Sequence, residues 1–159
     1  MERPGVRNLR AAIKGLDGAT GAVGWFESAK YEDGTPVAVI AAVHEYGAPS
    51  KGIPPRPFMR PTQQEKQQEW AGVARQVSRA VVAGKMPAGG LMEALALKAE
   101  GDVRAYIGKI QSPALKEATV EARKRRNAKG RKDGVGEASD KPLVDTGYML
   151  ATLTSKVTP

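Results

Sequence analysis

HEYGAPSKGIPPRPFMRPT, His44 to Thr62, is the densest stretch of the chain. It holds the only histidine, a glutamate beside it, two glycines, five prolines and two arginines. Such a stretch reads as a catalytic pocket, a substrate loop or a rigid piece of architecture, and its prolines speak first. Pro54, Pro55 and Pro57 each fix φ near −65° and remove an amide donor. Each also pushes the residue before it into extended geometry. Ile53–Arg60 is therefore expected to be a stiff extended rod, with Phe58 as its hydrophobic anchor and Arg56 and Arg60 projecting beside it. Gly47 and Gly52 let the chain turn into the rod.

The catalytic reading finds little chemistry. His44 and Glu45 are the one acid–base pair in view, but adjacent helical residues point about 100° apart and form no hydrogen-bonded dyad. No second histidine supplies metal-ligand spacing, and HExxH is absent. Ser50, Ser78 and Ser112 lack the GxSxG elbow. Gly18, Gly21 and Gly24 recur at steps of three, which matches neither GxGxxG nor GxxxxGK[ST], and they read as turn residues. With no cysteine there are no disulfides or thiolate metal sites. No catalytic residue, metal or cofactor is expected.

Outward from this stretch, the elements follow from periodicity and punctuation. Val6, Leu9, Ile13 and Leu16 suit a helical stripe, although part of that segment also suits a strand. Ala22–Ala29 reads as a strand, and YEDGTP as a turn. Val37–Tyr46 is expected as a helix stopped by Gly47. Thr62 and Glu65 form a capping-box pattern that would start a long helix, whose apolar face is Trp70, Val73, Ala74, Val77, Ala80 and Val81. Gly84 and Pro87 end it. Leu91, Leu95, Ala99, Val103, Tyr106, Ile107 and Ile110 mark a second helix, on which Glu100, Asp102 and Arg104 read as surface ion pairs. Ser112-Pro113 reads as the N-cap and first position of a third helix running into a basic segment. Asp145 would cap a short helix near Thr146, and Leu153–Val157 reads as a last strand.

At 159 residues with 41% apolar but only 5% aromatic content, one domain with an Ala/Val/Leu/Ile core is expected. No apolar run approaches membrane-spanning length, and the N-terminus lacks an apolar signal core, so neither a membrane nor a secretory route is expected. The net charge is +8, and seven of those charges sit in Arg123–Lys132, leaving about +1 for the rest. Arg123, Lys124, Arg125, Arg126, Lys129, Arg131 and Lys132 suit contact with DNA phosphates, an acidic protein surface, or plain solvation. The absence of aromatics among them speaks against base stacking. Residues 123–142 read as a basic, Gly-rich flexible arm.

VAVIAAVHEYGAP…IPPRPFMRPT, followed by a long helix and then KPLVDTGYMLATLTSKV, resembles the neck or tail-completion proteins of tailed bacteriophages, a family of virion morphogenesis proteins close to minor tail components. The residues carrying it are His44, Glu45, Tyr46 and Gly47; Ile53, Pro54, Arg56, Pro57, Phe58, Met59 and Arg60; and Pro142, Leu143, Val144, Asp145, Thr146 and Gly147. The two motifs cover about a quarter of the chain, and their order and spacing extend over most of it. The resemblance implies an α+β subunit that forms a homo-oligomeric ring, commonly a hexamer, at the head–tail junction of the virion. Its partners would be itself and other neck, connector and tail proteins, with non-specific contact to channel DNA, and it would carry no catalytic residues. Its motif residues would serve subunit contacts and architecture. The basic run exceeds the family pattern, so its role does not carry over.

The expectation is thus an α+β fold: a small antiparallel sheet packed against one long and several shorter helices, with an extended Pro-rich segment and a basic flexible arm. A cytosolic nucleic-acid-binding protein using Arg123–Lys132 is the alternative, distinguished by salt-dependent DNA binding. An enzyme built on His44 and Glu45 is the third reading.

Overall fold

The computed structural model describes residues 4–128 and 140–158. In chain order these form α1 (Pro4–Leu16), β1 (Thr20–Gly24), α2 (Val37–Tyr46), a 3-10 turn (Pro49–Lys51), α3 (Met59–Val82), α4 (Gly89–Lys109), α5 (Glu117–Ala128), α6 (Tyr148–Ala151) and β2 (Thr154–Thr158). The fold is mixed α+β and mostly helical. Its antiparallel sheet pairs β1 with β2, with Thr20 opposite Thr158 and Gly24 opposite Thr154. No helix among the described residues is long and apolar enough to cross a membrane.

The chain gathers into two compact units. The first comprises Met1–Gly24, Gln63–Asp102 and Thr154–Pro159. It holds α1, the sheet, most of α3 and the first two-thirds of α4. Ala12, Val81, Leu91 and Ala96 are its buried apolar residues. The sheet lies close on α4, because a Cβ added to Gly21 would stand 3.5 Å from that of Ala96. Trp70 on α3 donates its indole N–H to Asp102 of α4 at 2.7 Å, and Lys98 closes on the same carboxylate at 2.6 Å. Asp102 was expected in an ion pair with Arg104; it takes Lys98 and Trp70 instead, one turn back on α4 and across to α3. Burial of Asp102 opposes its charge, but these donors prevail and hold its pKa below the usual carboxylate value.

The second unit comprises Trp25–Thr62 and Val103–Leu153. Val37, Ala41, Phe58, Val103, Ile107, Leu143, Met149 and Leu153 are its buried apolar residues. Phe58 is 1% exposed, and a fully buried phenylalanine contributes about 1.5–3 kcal/mol of transfer free energy. Trp25 meets it edge-on, with ring centroids 5.8 Å apart, and donates its indole N–H to the Met149 carbonyl.

Several local expectations yield to tertiary contacts. The first strand ends at Gly24 because its partner β2 begins at Thr154; Trp25 and Phe26 leave the sheet, and the Ala29 amide turns back to the Phe26 carbonyl. The ambiguous N-terminal segment is helical. The long helix starts at Met59, not after Thr62. Thr62 lies inside its first turn, where its hydroxyl donates to the Phe58 carbonyl at 2.6 Å. Pro61 is tolerated there because the first-turn amides have no intrahelical acceptor. The rod is accordingly extended only to Phe58, and Met59 and Arg60 are helical. Helix α5 begins at Glu117, so Ser112-Pro113 does not start it; the Pro113 and Ala114 carbonyls are taken by Arg56 instead. Helix α6 begins at Tyr148 with Gly147 at its N-cap, so Asp145 does not cap it.

Candidate functional site

Both halves of the resemblance lie in the second unit, and Glu45 organises the first half. It falls on the buried face of α2 together with Val37 and Ala41, at steps of four. A carboxylate at a core position requires donors, and these come from the N-terminus of α3. Glu45 Oε2 accepts the Phe58 amide at 2.7 Å and the Met59 amide at 2.9 Å. Oε1 accepts the Arg60 amide at 3.2 Å and the Arg60 Nε at 2.9 Å. The carboxylate is thus a helix cap supplied from another helix, placed where the α3 dipole favours negative charge. Burial would raise its pKa, but the Phe58, Met59 and Arg60 donors outweigh that effect, so the group lies below the usual value. Four donors fill its lone-pair sites, so it is engaged in holding backbone.

Arg60 returns across the junction. Its Nη2 donates to the Glu45 carbonyl at 3.2 Å, and its guanidinium lies 4.9 Å from the Tyr46 ring centroid. Tyr46 itself is 66% exposed, which leaves an aromatic surface at the end of α2. Gly47 follows with φ 77°, donating its amide to the Val43 carbonyl. Ala48 and Ile53 then form an antiparallel bridge that closes the 3-10 turn into a tight loop.

The extended segment is docked by both its backbone and its side chain. The Arg56 amide donates to the His44 carbonyl at 2.7 Å. Its guanidinium, in a residue only 4% exposed, donates through Nε to the Pro113 carbonyl at 2.6 Å and through Nη2 to the Ala114 carbonyl at 2.9 Å. Arg56 therefore ties the Pro-rich segment to the stretch between α4 and α5. Ile53, Pro54 and Pro57 are half-buried along the same segment.

The second half of the resemblance meets the first in a recess of about 390 Å³, whose lining includes His44, Arg123, Asp145, Thr146, Tyr31 and Tyr148. Arg123 donates to the Lys141 carbonyl at 2.8 Å and the Val144 carbonyl at 3.2 Å, and lies 3.3 Å from Asp145. Arg126 also bonds the Asp145 carboxylate. The expected capping acid is thus the ion-pair partner of α5. Thr146 takes over part of the capping role, since its hydroxyl accepts the Tyr148 amide at 3.2 Å. Gly147 is buried with φ 75°, the sign that suits glycine. His44 Nδ1 is buried without a hydrogen-bond partner among the described residues. Burial, then the nearby Arg56 and Arg123 charges, hold the His44 pKa below its ordinary value.

The basic run divides. Arg123 and Arg126 are engaged by Asp145 and backbone carbonyls, while Arg125 lies 3.6 Å from Glu121 and its side chain is 74% exposed. Lys124 is exposed on the same helix. Lys129, Arg131 and Lys132, and most of the expected arm, lie outside the described residues; 123–128 belong to α5.

Several residues of this site carry no local signal in the sequence. The Tyr31 and Tyr148 rings meet at a tilt of 50° with centroids 5.2 Å apart, and the Tyr148 hydroxyl donates to the Lys30 carbonyl. Arg104 reaches the Leu153 carbonyl at 2.8 Å. Glu45 does carry such a signal, as an acid four residues after Ala41 on an apolar helix face. No protein-family model, curated protein or solved structure matches the chain.

Proposed function

We propose that this chain is a structural virion protein of a tailed phage, forming a homo-oligomeric ring at the head–tail junction as a neck or tail-completion component. What carries the reading is the use to which the motif residues are put. Glu45, Arg56 and Arg60 each bond backbone groups of another segment, and Glu45 and Arg60 also bond each other. A junction braced in this way presents Tyr46 and the Pro-rich loop in fixed geometry. That suits a subunit which must hold one shape against its neighbours. The same engagement disfavours an acid–base role for Glu45, and the engagement of Arg123 and Arg126 by Asp145 disfavours a phosphate grip centred on those two residues.

Electron microscopy tests the proposal. Purified protein should form closed rings, with six subunits as the expected number, and an antibody against the chain should label the head–tail junction of the particle. Label confined to another part of the particle, or absent from it, would refute the assignment.

A further inference from the structure

Uncompensated cations collect at one end of the first unit. Helices α3 and α4 run antiparallel there, tied at the other end by Trp70 to Asp102 and by Lys98 to Glu69. Two acids of that tied end are matched by lysines: Glu69 by Lys66 and Lys98, and Asp102 by Lys98. The end where residues 83–88 join the helices is different. From Trp70 to Met92 the chain has no acidic residue but carries Arg75, Arg79 and Lys85. Helix α1 lies against this end, since a Cβ on Gly84 would stand 3.1 Å from the Asn8 Nδ2 and one on Gly15 2.8 Å from the Ala88 Cβ. Pro4–Leu16 adds Arg7, Arg10 and Lys14, again with no acid.

All six of these side chains belong to exposed residues. Arg7, Arg10 and Lys14 fall within an arc of about 60°, turned about 140° from the packed side marked by Asn8, Ala12 and Gly15. Arg75 and Arg79 follow one another at a single helical turn on α3. Arg7, Lys14, Arg75, Arg79 and Lys85 form no ion pair among the described residues. Asp17, just past α1, and Glu93, just inside α4, are the nearest acids in sequence. Arg123 and Arg126, by contrast, are held by Asp145. An exposed surface of one sign attracts polyanions. The charge spans two helices and a loop instead of one amphipathic helix, which matches an extended array of phosphates better than a lipid surface. Neither Pro4–Leu16 nor residues 71–92 contain an aromatic residue, so unpaired bases find no stacking platform.

We propose that this end of the unit is a sequence-independent surface for double-stranded DNA, gripping its phosphates with Arg7, Arg10, Lys14, Arg75, Arg79 and Lys85. The surface is separate from the basic run of α5, and neither that run nor the ring reading requires it. Fluorescence anisotropy with the full chain and a short labelled duplex tests it. Six phosphate contacts per bound chain correspond to a slope of about −5 in log affinity against log salt, a loss of about a thousandfold between 50 and 200 mM. Arg7→Gln, Arg10→Gln and Lys14→Gln together should remove about half of that slope, and Arg75→Gln, Arg79→Gln and Lys85→Gln the other half. Lys124→Gln with Arg125→Gln on α5 should leave it unchanged, and duplexes of unrelated sequence should bind equally. A measurement on the unchanged protein covers the case of a variant that does not fold. Bound duplex should slow acetylation of Lys14 and Lys85 several-fold and leave Lys66 and Lys98, at the other end of the unit, as reactive as before. Absence of duplex binding at low salt, a slope that survives both triple variants, or protection falling on Lys124 and sparing Lys14 and Lys85 would overturn the assignment. So would binding to phosphatidylserine vesicles or to poly-glutamate at least as tight as binding to the duplex, the first in favour of a membrane surface and the second of an acidic protein. None of these outcomes bears on whether the chain labels the head–tail junction, so the DNA surface and the virion assignment fail separately.

Discussion

Glu45 reaches thirteen residues along the chain to accept the Phe58 amide at 2.7 Å, and this single carboxylate sets where α3 begins. Breaking a buried, multiply bonded charge by removing one partner costs about 3–5 kcal/mol. Glu45→Ala should therefore lower the unfolding free energy by about 3 kcal/mol in urea titration, with three amides and Arg60 left to find other acceptors. Glu45→Gln should recover only part of this, because its amide nitrogen would face N–H donors where Glu45 offers an acceptor. Equal stability of Glu45→Gln and the unchanged protein would mean that the charge is dispensable.

Arg56 is the second brace. Hydrogen bonds to charged groups are worth about 1.5–3 kcal/mol, and Arg56→Ala should cost about 2 kcal/mol while freeing the Pro113 and Ala114 carbonyls. Arg56→Lys should not rescue it, since one ammonium cannot reproduce a fork that reaches two carbonyls at fixed spacing. Hydrogen exchange supplies the local readout. Amides around 110–116 should exchange faster in both variants, whereas a loss spread evenly over the unit would show that Arg56 acts only on global stability.

These two braces also show what the sequence could and could not disclose. Helix α2 was legible from Val37 to Tyr46, because an apolar run closed by a glycine is a local signal. The start of α3 was not. Thr62 and Glu65 have the spacing of a capping box, but a carboxylate from α2 already satisfies the amides three residues earlier, and the local pattern loses to it. Ser112-Pro113 fails in the same way, because Arg56 takes the carbonyls that a helix there would need. Asp145 looked like a cap because its natural partners, Arg123 and Arg126, lie some twenty residues upstream. In each case the deciding partner is distant in sequence, and periodicity carries no information about it. His44 and Asp145–Gly147, from the two halves of the resemblance, line one recess, but the resemblance did not indicate how Glu45 or Arg56 is used.

His44 should give the fold a pH dependence of known sign. It is the only histidine in the chain, and its folded pKa lies below the ordinary value because of burial and the adjacent Arg56 and Arg123 charges. The unfolded chain therefore binds the proton more readily. Stability is unaffected well above pH 6.5, and falls as the pH drops below that value towards the folded pKa, by at most about 1.4 kcal/mol per pH unit. Glu45 acts in the same direction at lower pH: its contribution is present above the unfolded value near 4.3 and is lost as the pH falls through the depressed folded value. Unfolding titrations between pH 7 and 5 should thus show a slope that disappears in His44→Leu. A slope that survives this substitution would have to come from a carboxyl group, and His44 would not be its source.

Gly47 and Gly52 both have positive φ, yet their substitution should differ in severity. Gly47 has φ 77° and ψ 174°, a region essentially reserved for glycine, where another residue costs about 1–3 kcal/mol. It is also crowded by backbone: an added Cβ would stand 2.9 Å from the Pro55 nitrogen and 3.0 Å from the Ile53 oxygen. The Ala48–Ile53 bridge holds that backbone in place, so the clash cannot relax without opening the loop. Gly52 has φ 64° and ψ 29°, ordinary left-handed geometry that asparagine visits. The atom that a Cβ would meet there at 3.1 Å is the Lys116 Nζ, the free-swinging end of a long side chain. Gly47→Ala should therefore destabilise by about 3 kcal/mol, and Gly52→Ala by about 1 kcal/mol, with Gly52→Asn milder still. Thermal midpoints of the three variants decide the matter. The reverse order would mean that the loop is held by Gly52 and that the close approach at Gly47 is free to relax.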